Sequence, residues 1–445
     1  MSIYADDVIS FPSVLKMSYN FLMGRDYLKR KKARERKKLI SVALGFPDLV
    51  YAVGGVPVFP IRLESFKLPA LLALSSASSF LGWNLTSKVL DIARQFDILK
   101  LVDKILDEVI NTINEKYNQM YEVGFKNNAL KDLCYGINAL YGMHESQGKN
   151  LDANLNFALR CGEWNYFSES MKTEDQIWVE IPPKNLENKE KAVEIMVDNI
   201  KTAIDQLEKL TGNVVSEESL KKQFRIGNQI KRYYKTILYE ISNSNFYPSN
   251  PGTFAEILAL LTITFQDYNS NAQRYLENMS QLVNEMRQRI KKGIGMDVSG
   301  MPKLLFTPMF SGWDPKVHEI IYELKGRIIY ADWDIFGLLE EIPVTNKADP
   351  IENYAKFLLD ASNTGLGCDK ENLTSSYLKS AKELKVDGMI FNQVFGCPSI
   401  SNIYDSIRES INEELEIPAT VINFKKIGDN IGEVRESLGN FIKKF

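Results

Sequence analysis

At 445 residues, with 44% hydrophobic and 25% charged side chains, the chain has the make-up of a soluble globular protein too long for one ordinary core. A formal net charge of −3 argues against a dedicated nucleic-acid surface. No basic stretch followed by an apolar one opens the sequence, so no secretion signal is expected, and its four cysteines read as reduced thiols of a cytoplasmic protein.

Residues 8–42 read as helical and carry the basic run Lys29 to Lys38, which is expected to be a solvated helix face rather than a phosphate site. Gly54-Gly55-Val56-Pro57-Val58 reads as a turn and a short buried strand. The charge-free stretch Leu68 to Ser87 contains Pro69, five serines, Asn84 and Thr86, so a buried small-residue helix is expected there and not a membrane span. Helical patterns continue to about residue 126. Leu133-Cys134-Tyr135-Gly136-Ile137 opens a further helix, and Phe157 to Cys161 reads as a strand ending in a thiol. Ile177 to Ile181 is a strand closed by Pro182-Pro183. From Asn185 to Lys292 the pattern is almost wholly helical, interrupted near Pro248 to Gly252.

From Pro302 onward strands and helices alternate. Lys303 to Thr307 is a strand, and Asp314-Pro315 opens a helix with aspartate as its cap and proline in its first turn. Gly326 to Tyr330 is the next strand, ending at Asp332-Trp333-Asp334, an acidic pair read as capping a turn. Helices at Pro350 to Ala361 and Thr374 to Leu384 precede the strand beginning at Met389; a helix from Asn402 to Glu414, a strand Ala419 to Asn423 and a helix Ile431 to Lys444 follow. Strands separated by helices mean parallel sheets. The expected architecture is α/β, with two doubly wound parallel-sheet domains and a large helical portion. Its divisions are an N-terminal helical segment (1–50), a first α/β domain with a long helical insertion (51–300) and a C-terminal doubly wound α/β domain (301–445).

The thiols are Cys134, Cys161, Cys368 and Cys397. An intracellular cysteine is ordinarily a small buried hydrophobe. Cys161 and Cys397, however, are read as ending buried strands at the carboxyl edges where α/β sheets bind ligands, and Cys134 opens a helix whose amide end favours thiolate. After Cys397, Pro398 fixes the turn ahead of a helix that points its amide end back at the sulfur. Three thiolates from separate elements can hold three irons of a cubane cluster. His144 and His318 read as packing or surface residues, and no nucleotide-binding glycine loop or nucleophile elbow is present.

Several of these segments resemble one known family. Val386-Asp387-Gly388-Met389-Ile390 with Phe395-Gly396-Cys397, then Ile417-Pro418-Ala419 and Gly428 to Arg435, are similar to the ending of the 2-hydroxyacyl-CoA dehydratase and benzoyl-CoA reductase family of oxygen-sensitive iron–sulfur proteins. Gly227-Asn228-Gln229-Ile230-Lys231-Arg232 looks like that family's central helix, and Gly55-Val56-Pro57-Val58 like its early turn. The chain departs from the family at Thr307-Pro308-Met309, which lacks a cysteine, and at Arg435-Glu436-Ser437 in the last helix.

The resemblance implies that Cys134, Cys161 and Cys397 hold a [4Fe–4S] cluster, with Cys368 a neighbour and not a ligand. It implies an ATP-hydrolysing iron–sulfur activator that supplies one low-potential electron, and an acyl-CoA substrate that loses its hydroxyl group through a ketyl radical. A homologous second subunit, or a second copy, completes the enzyme; no nucleic acid or membrane partner is expected. The alternatives left open are a benzoyl-CoA-type aromatic ring reductase, a cluster-containing electron-transfer protein, and a cluster-free partner that kept the fold.

Overall fold

The computed structural model describes residues 8–42, 46–63, 69–95, 100–127, 133–147, 150–157, 161–171, 175–182, 188–309, 314–345, 349–363, 370–394, 398–424 and 426–445. The chain builds two parallel four-stranded sheets of the expected α/β class. The first contains β1 (Leu39–Val42), β2 (Val56–Val58), β3 (Ala153–Phe157) and β4 (Asp175–Val179), in spatial order β2-β1-β3-β4. Its inner strands are buried at every position, the polar Ser41, Asn154 and Asn156 included; β4, at the edge, is exposed at its first residue. Ile40 lies opposite Ala153 and Leu39 opposite Val56, so β1 joins the two neighbouring connections.

This strand corrects the helical reading of residues 8–42. Helices occupy Pro12–Leu22 and Gly24–Glu35, the chain turns at Arg36 with φ 52°, and the next residues enter the sheet. Three apolar residues and a serine after a basic helix carry no periodicity that separates a strand from one more helical turn. The basic run itself is divided. Lys29, Arg30, Arg34 and Arg36 are exposed, whereas Lys31 is buried and donates to Ser270 O at 2.8 Å.

After β5 (Phe246–Tyr247) and β6 (Met296–Asp297), a small antiparallel pair, the second large sheet forms from β7 (Lys303–Thr307), β8 (Arg327–Ile329), β9 (Gly388–Val394) and β10 (Ala419–Phe424), in order β10-β9-β7-β8. Asp314 caps the helix Pro315–Glu323 by accepting from Lys316 N at 2.9 Å, as its position ahead of Pro315 predicts. Between the sheets stand the long helices Lys189–Thr211, Glu217–Lys235, Pro251–Phe265 and Ala272–Lys291. Their starts are capped by Asn188, Ser216, Asn250 and Asn271, each accepting a backbone N–H.

The family-like motifs explain the joints of this frame. Asn228 makes a two-way bond with the Ile342 backbone, at 2.7 Å to its oxygen and 2.9 Å from its nitrogen, while Arg232 holds Glu341 through two 2.8 Å contacts. Asp387 caps the start of β7 by accepting from Lys303 N at 2.7 Å. At Gly388 a methyl would lie 2.6 Å from the Phe445 ring and 3.0 Å from Phe441, so this glycine lets the last helix close on the sheet.

The helix Pro69–Gln95 overturns a second expectation. Among its described side chains Thr86 and Ser87 are the buried ones, and Phe80 is 89% exposed, with Leu81, Leu85, Val89 and Ile92 also facing outward. Thr86 and Ser87 face the body, where Ser87 donates to Ile9 O at 2.6 Å. Among the described residues no helix is long and apolar enough to cross a membrane.

Candidate functional site

The first sheet brings two of the three singled-out cysteines to one edge. Cys134 stands directly before the helix Tyr135–Gln147, and its carbonyl accepts the first helical bond, from Asn138 N at 3.0 Å. That helix runs back along the sheet into β3, so its start lies at the carboxyl edge. Cys161 follows β3 and caps the helix Gly162–Ser170, with its carbonyl accepting from Asn165 N at 3.1 Å. The strand read at residues 157–161 is therefore Ala153–Phe157, and Cys161 opens a helix instead of ending a strand. Residues 158–160 lie outside the described residues.

One side chain joins the two cysteine segments. Glu163, in the first turn after Cys161, accepts the backbone N–H of Cys134 at 3.0 Å. Behind them the two helices pack through Phe167 and His144, whose rings lie 6.5 Å apart, and both are buried. Both cysteines are half-buried and pack against the main core. Burial pushes the Cys161 thiol above its ordinary range, while the Trp164 and Glu163 backbone N–H groups pull it the other way.

The position of the Tyr135 helix is set by two glycines. Helix Lys100–Asn127 packs against it so closely that a methyl on Gly142 would lie 1.9 Å from Met120 O, and one on Gly124 1.9 Å from Asn138 O. On the other side, Tyr135 meets the second sheet: its ring lies 6.3 Å from that of Phe424, the last residue of β10. Tyr135 donates to Asn118 Oδ1 at 3.0 Å, and Asn118 Nδ2 donates to Ile427 O at 3.2 Å. Tyr117 and Tyr121 complete this aromatic cluster, into which Cys134 also packs. Burial raises the phenols of Tyr117 and Tyr135, keeping both protonated.

Phe424 lies opposite Val394 in the β10–β9 register. Val394 is three residues before Cys397, and Pro398 begins the next helix, Pro398–Leu415. The carboxyl edges of the two sheets thus meet beside Cys134. Cys397 and Cys368 themselves lie outside the described residues. Among the described residues no group of three or more histidine, cysteine, aspartate or glutamate side chains is placed to hold a metal ion.

The other polar candidates have structural partners. His318 is buried, 2.9 Å from Glu256 Oε1 through Nδ1 and bonded to Tyr330 through Nε2. Asp332 accepts from Met309 N at 2.6 Å and Thr307 at 3.3 Å, tying the end of β8 to that of β7. Asp334 accepts from Ser380 at 2.8 Å and from Tyr239. These partners lie far from the pair in sequence, so the two carboxylates tie separate elements together where a local turn cap was expected. A cavity of about 390 Å³ beside Asp334, lined also by Lys356, Asp360 and Lys379, mixes both signs of charge.

Sequence reasoning missed Glu163, Asn118 and Gly142. A glutamate two residues after a helix-capping cysteine has an ordinary local use at the helix start, so nothing nearby signals its bond 29 residues upstream.

A family profile described as 2-hydroxyglutaryl-CoA dehydratase, D-component, matches residues 100–444. No curated protein matches the chain.

Proposed function

The chain belongs to the 2-hydroxyglutaryl-CoA dehydratase D-component family, and we propose that within it the protein is the iron–sulfur subunit of a radical 2-hydroxyacyl-CoA dehydratase. Cys134, Cys161 and Cys397 would hold the [4Fe–4S] cluster. The observation that carries this reading is the Glu163 bond to Cys134 N at the sheet edge that faces the end of β10.

The donor set fits the group. Thiolates are the ligands iron–sulfur clusters take, and each of the three cysteines stands immediately before a helix. Helix amide ends favour negative charge, both on the sulfurs and on an anionic cluster. Only three residues separate Val394 from Pro398, a reach of about 10 Å, so Cys397 stays near the strand end that pairs with Phe424.

When bound, the cluster would supply one-electron chemistry at low potential; in this reading an ATP-hydrolysing activator is the electron donor and an acyl-CoA thioester the acceptor. The protein's own residues do the rest. Glu163 and the Tyr135 cluster fix the cysteine-bearing segments, and the buried Tyr135 ring, with half-buried Tyr117 and Phe424 packed against it, limits the access of water. The raised Cys161 thiol keeps its proton until a metal displaces it. A homologous second subunit, or a second copy, completes the active unit.

The test is turnover under anaerobic conditions with an activator of this enzyme class, ATP and a panel of 2-hydroxyacyl-CoA thioesters. Formation of the 2-enoyl-CoA, dependent on ATP, is the expected result. An iron-loaded protein that accepts the electron yet dehydrates no thioester, alone or with a homologous subunit, would overturn the dehydratase reading.

A further inference from the structure

We propose that Glu163 is a positioning residue that caps two helices at once and so fixes Cys134 relative to Cys161; the inference rests on the cluster reading above. In an ordinary capping box, a glutamate in the first helical turn reaches back to the backbone N–H of its own cap residue. Cys161 is the cap residue of the helix Gly162–Ser170, so its own N–H is the one a local box would use. Glu163 turns instead to the N–H of Cys134, the residue that opens the helix Tyr135–Gln147, at 3.0 Å.

The consequence is geometric. Cys134 and Cys161 lie on segments separated by a full helix and strand. The residues next to them on the far side of each, 128–132 and 158–160, lie outside the described set. The helix pair is held behind them by His144 and Phe167. At the cysteines themselves, the Glu163 carboxylate crosses from one segment to the other. A charged acceptor makes a stronger bond to a backbone N–H than a neutral one. An amide oxygen keeps the same acceptor at the same place, so glutamine preserves the link and alanine removes it.

The experiment compares the wild-type chain with Glu163→Gln and Glu163→Ala, with Glu169→Ala, on the same helix and exposed, as control. Two quantities are read: iron per chain with its visible spectrum after anaerobic purification, and hydrogen exchange of the Cys134 amide in the metal-free chain. The expected result is at least a twofold loss of iron in Glu163→Ala, near-wild-type iron and spectrum in Glu163→Gln, and no change in Glu169→Ala. In the metal-free chain the Cys134 amide should exchange about tenfold faster in Glu163→Ala alone.

Full iron and an unchanged spectrum in Glu163→Ala would overturn the positioning role while leaving the cluster reading intact. Equal losses in the glutamine and alanine variants would also overturn it, since a role of charge and not of acceptor geometry would be at work. If the wild-type chain takes up no iron, the functional reading fails. The amide exchange then decides the capping claim by itself, an unchanged rate in Glu163→Ala refuting it.

Discussion

Replacing Gly142 with alanine tests whether the first cysteine is placed by backbone contact between two helices. The added methyl would lie 1.9 Å from Met120 O, which is 1.5 Å inside the 3.4 Å at which ordinary contact begins. Met120 C and Gly124 N follow at 2.8 and 2.9 Å, so the obstruction is backbone that no rotamer change can move aside. Alanine in a helix interior gains about 0.5–1 kcal/mol over glycine. Overpacking a close contact costs about 1–3 kcal/mol, and the upper end applies where backbone must shift. The net expectation is a loss of roughly 1–2 kcal/mol, read as a lower denaturant midpoint. Gly439→Ala, in the last helix with open space around its Cβ position, should instead gain the propensity term. Because Cys134 opens the displaced helix, iron uptake should fall along with stability in Gly142→Ala. A Gly142→Ala protein as stable as wild type, or stabilised like Gly439→Ala, would refute the close-packing argument.

Asn228→Ala should destabilise the protein by about 2–3 kcal/mol, because it strands the buried N–H and C=O of Ile342 together; an unchanged midpoint in urea would contradict this. Asp48 is buried with its carboxyl pushed up to about 6, burial outweighing the opposing Lys231 ammonium. Between the ordinary carboxylate range and that value, the native state keeps a proton that the unfolded chain has lost. Its stabilising contribution is therefore full below about pH 4 and disappears as pH rises through 6. Asp48→Asn should remove this dependence, on the order of 2 kcal/mol between pH 4 and 7 in denaturant titrations. Equal slopes in both proteins would show that Asp48 titrates normally.

Much of the second sheet was legible because its elements carry local signals. Lys303–Thr307 carries the apolar run Leu304-Leu305-Phe306, and Asp314-Pro315 supplies both a cap and a first-turn proline, so each appears where the residues put it. Leu39–Val42 was not legible, since four residues beside a helix are too few to carry a period of their own. For residues 68–87 composition marked a charge-free helix but not which side would be covered; the covered side proved to be Thr86 and Ser87, with Phe80 turned outward. Cys134 was legible as the residue that opens a helix, whereas Cys161, read as a strand end, proved to open a helix of its own. What ties them together was not, because the Glu163 bond and the Gly124–Gly142 contact join elements distant in sequence. Some of the family-like motif residues serve the frame and not the chemistry. Asp387 caps a strand, Gly388 clears space for the last helix, and Asn228 joins a long helix to the Ile342 loop.

The central claim is that three cysteines from two facing sheet edges hold one cluster. Its most direct test is iron and acid-labile sulfide per chain after anaerobic purification, with Cys134, Cys161, Cys368 and Cys397 each changed to serine. The account predicts roughly four irons per wild-type chain, lost or strongly reduced in Cys134→Ser, Cys161→Ser and Cys397→Ser and retained in Cys368→Ser. Iron that survives Cys397→Ser, or a wild-type chain that folds fully without iron uptake, would contradict it.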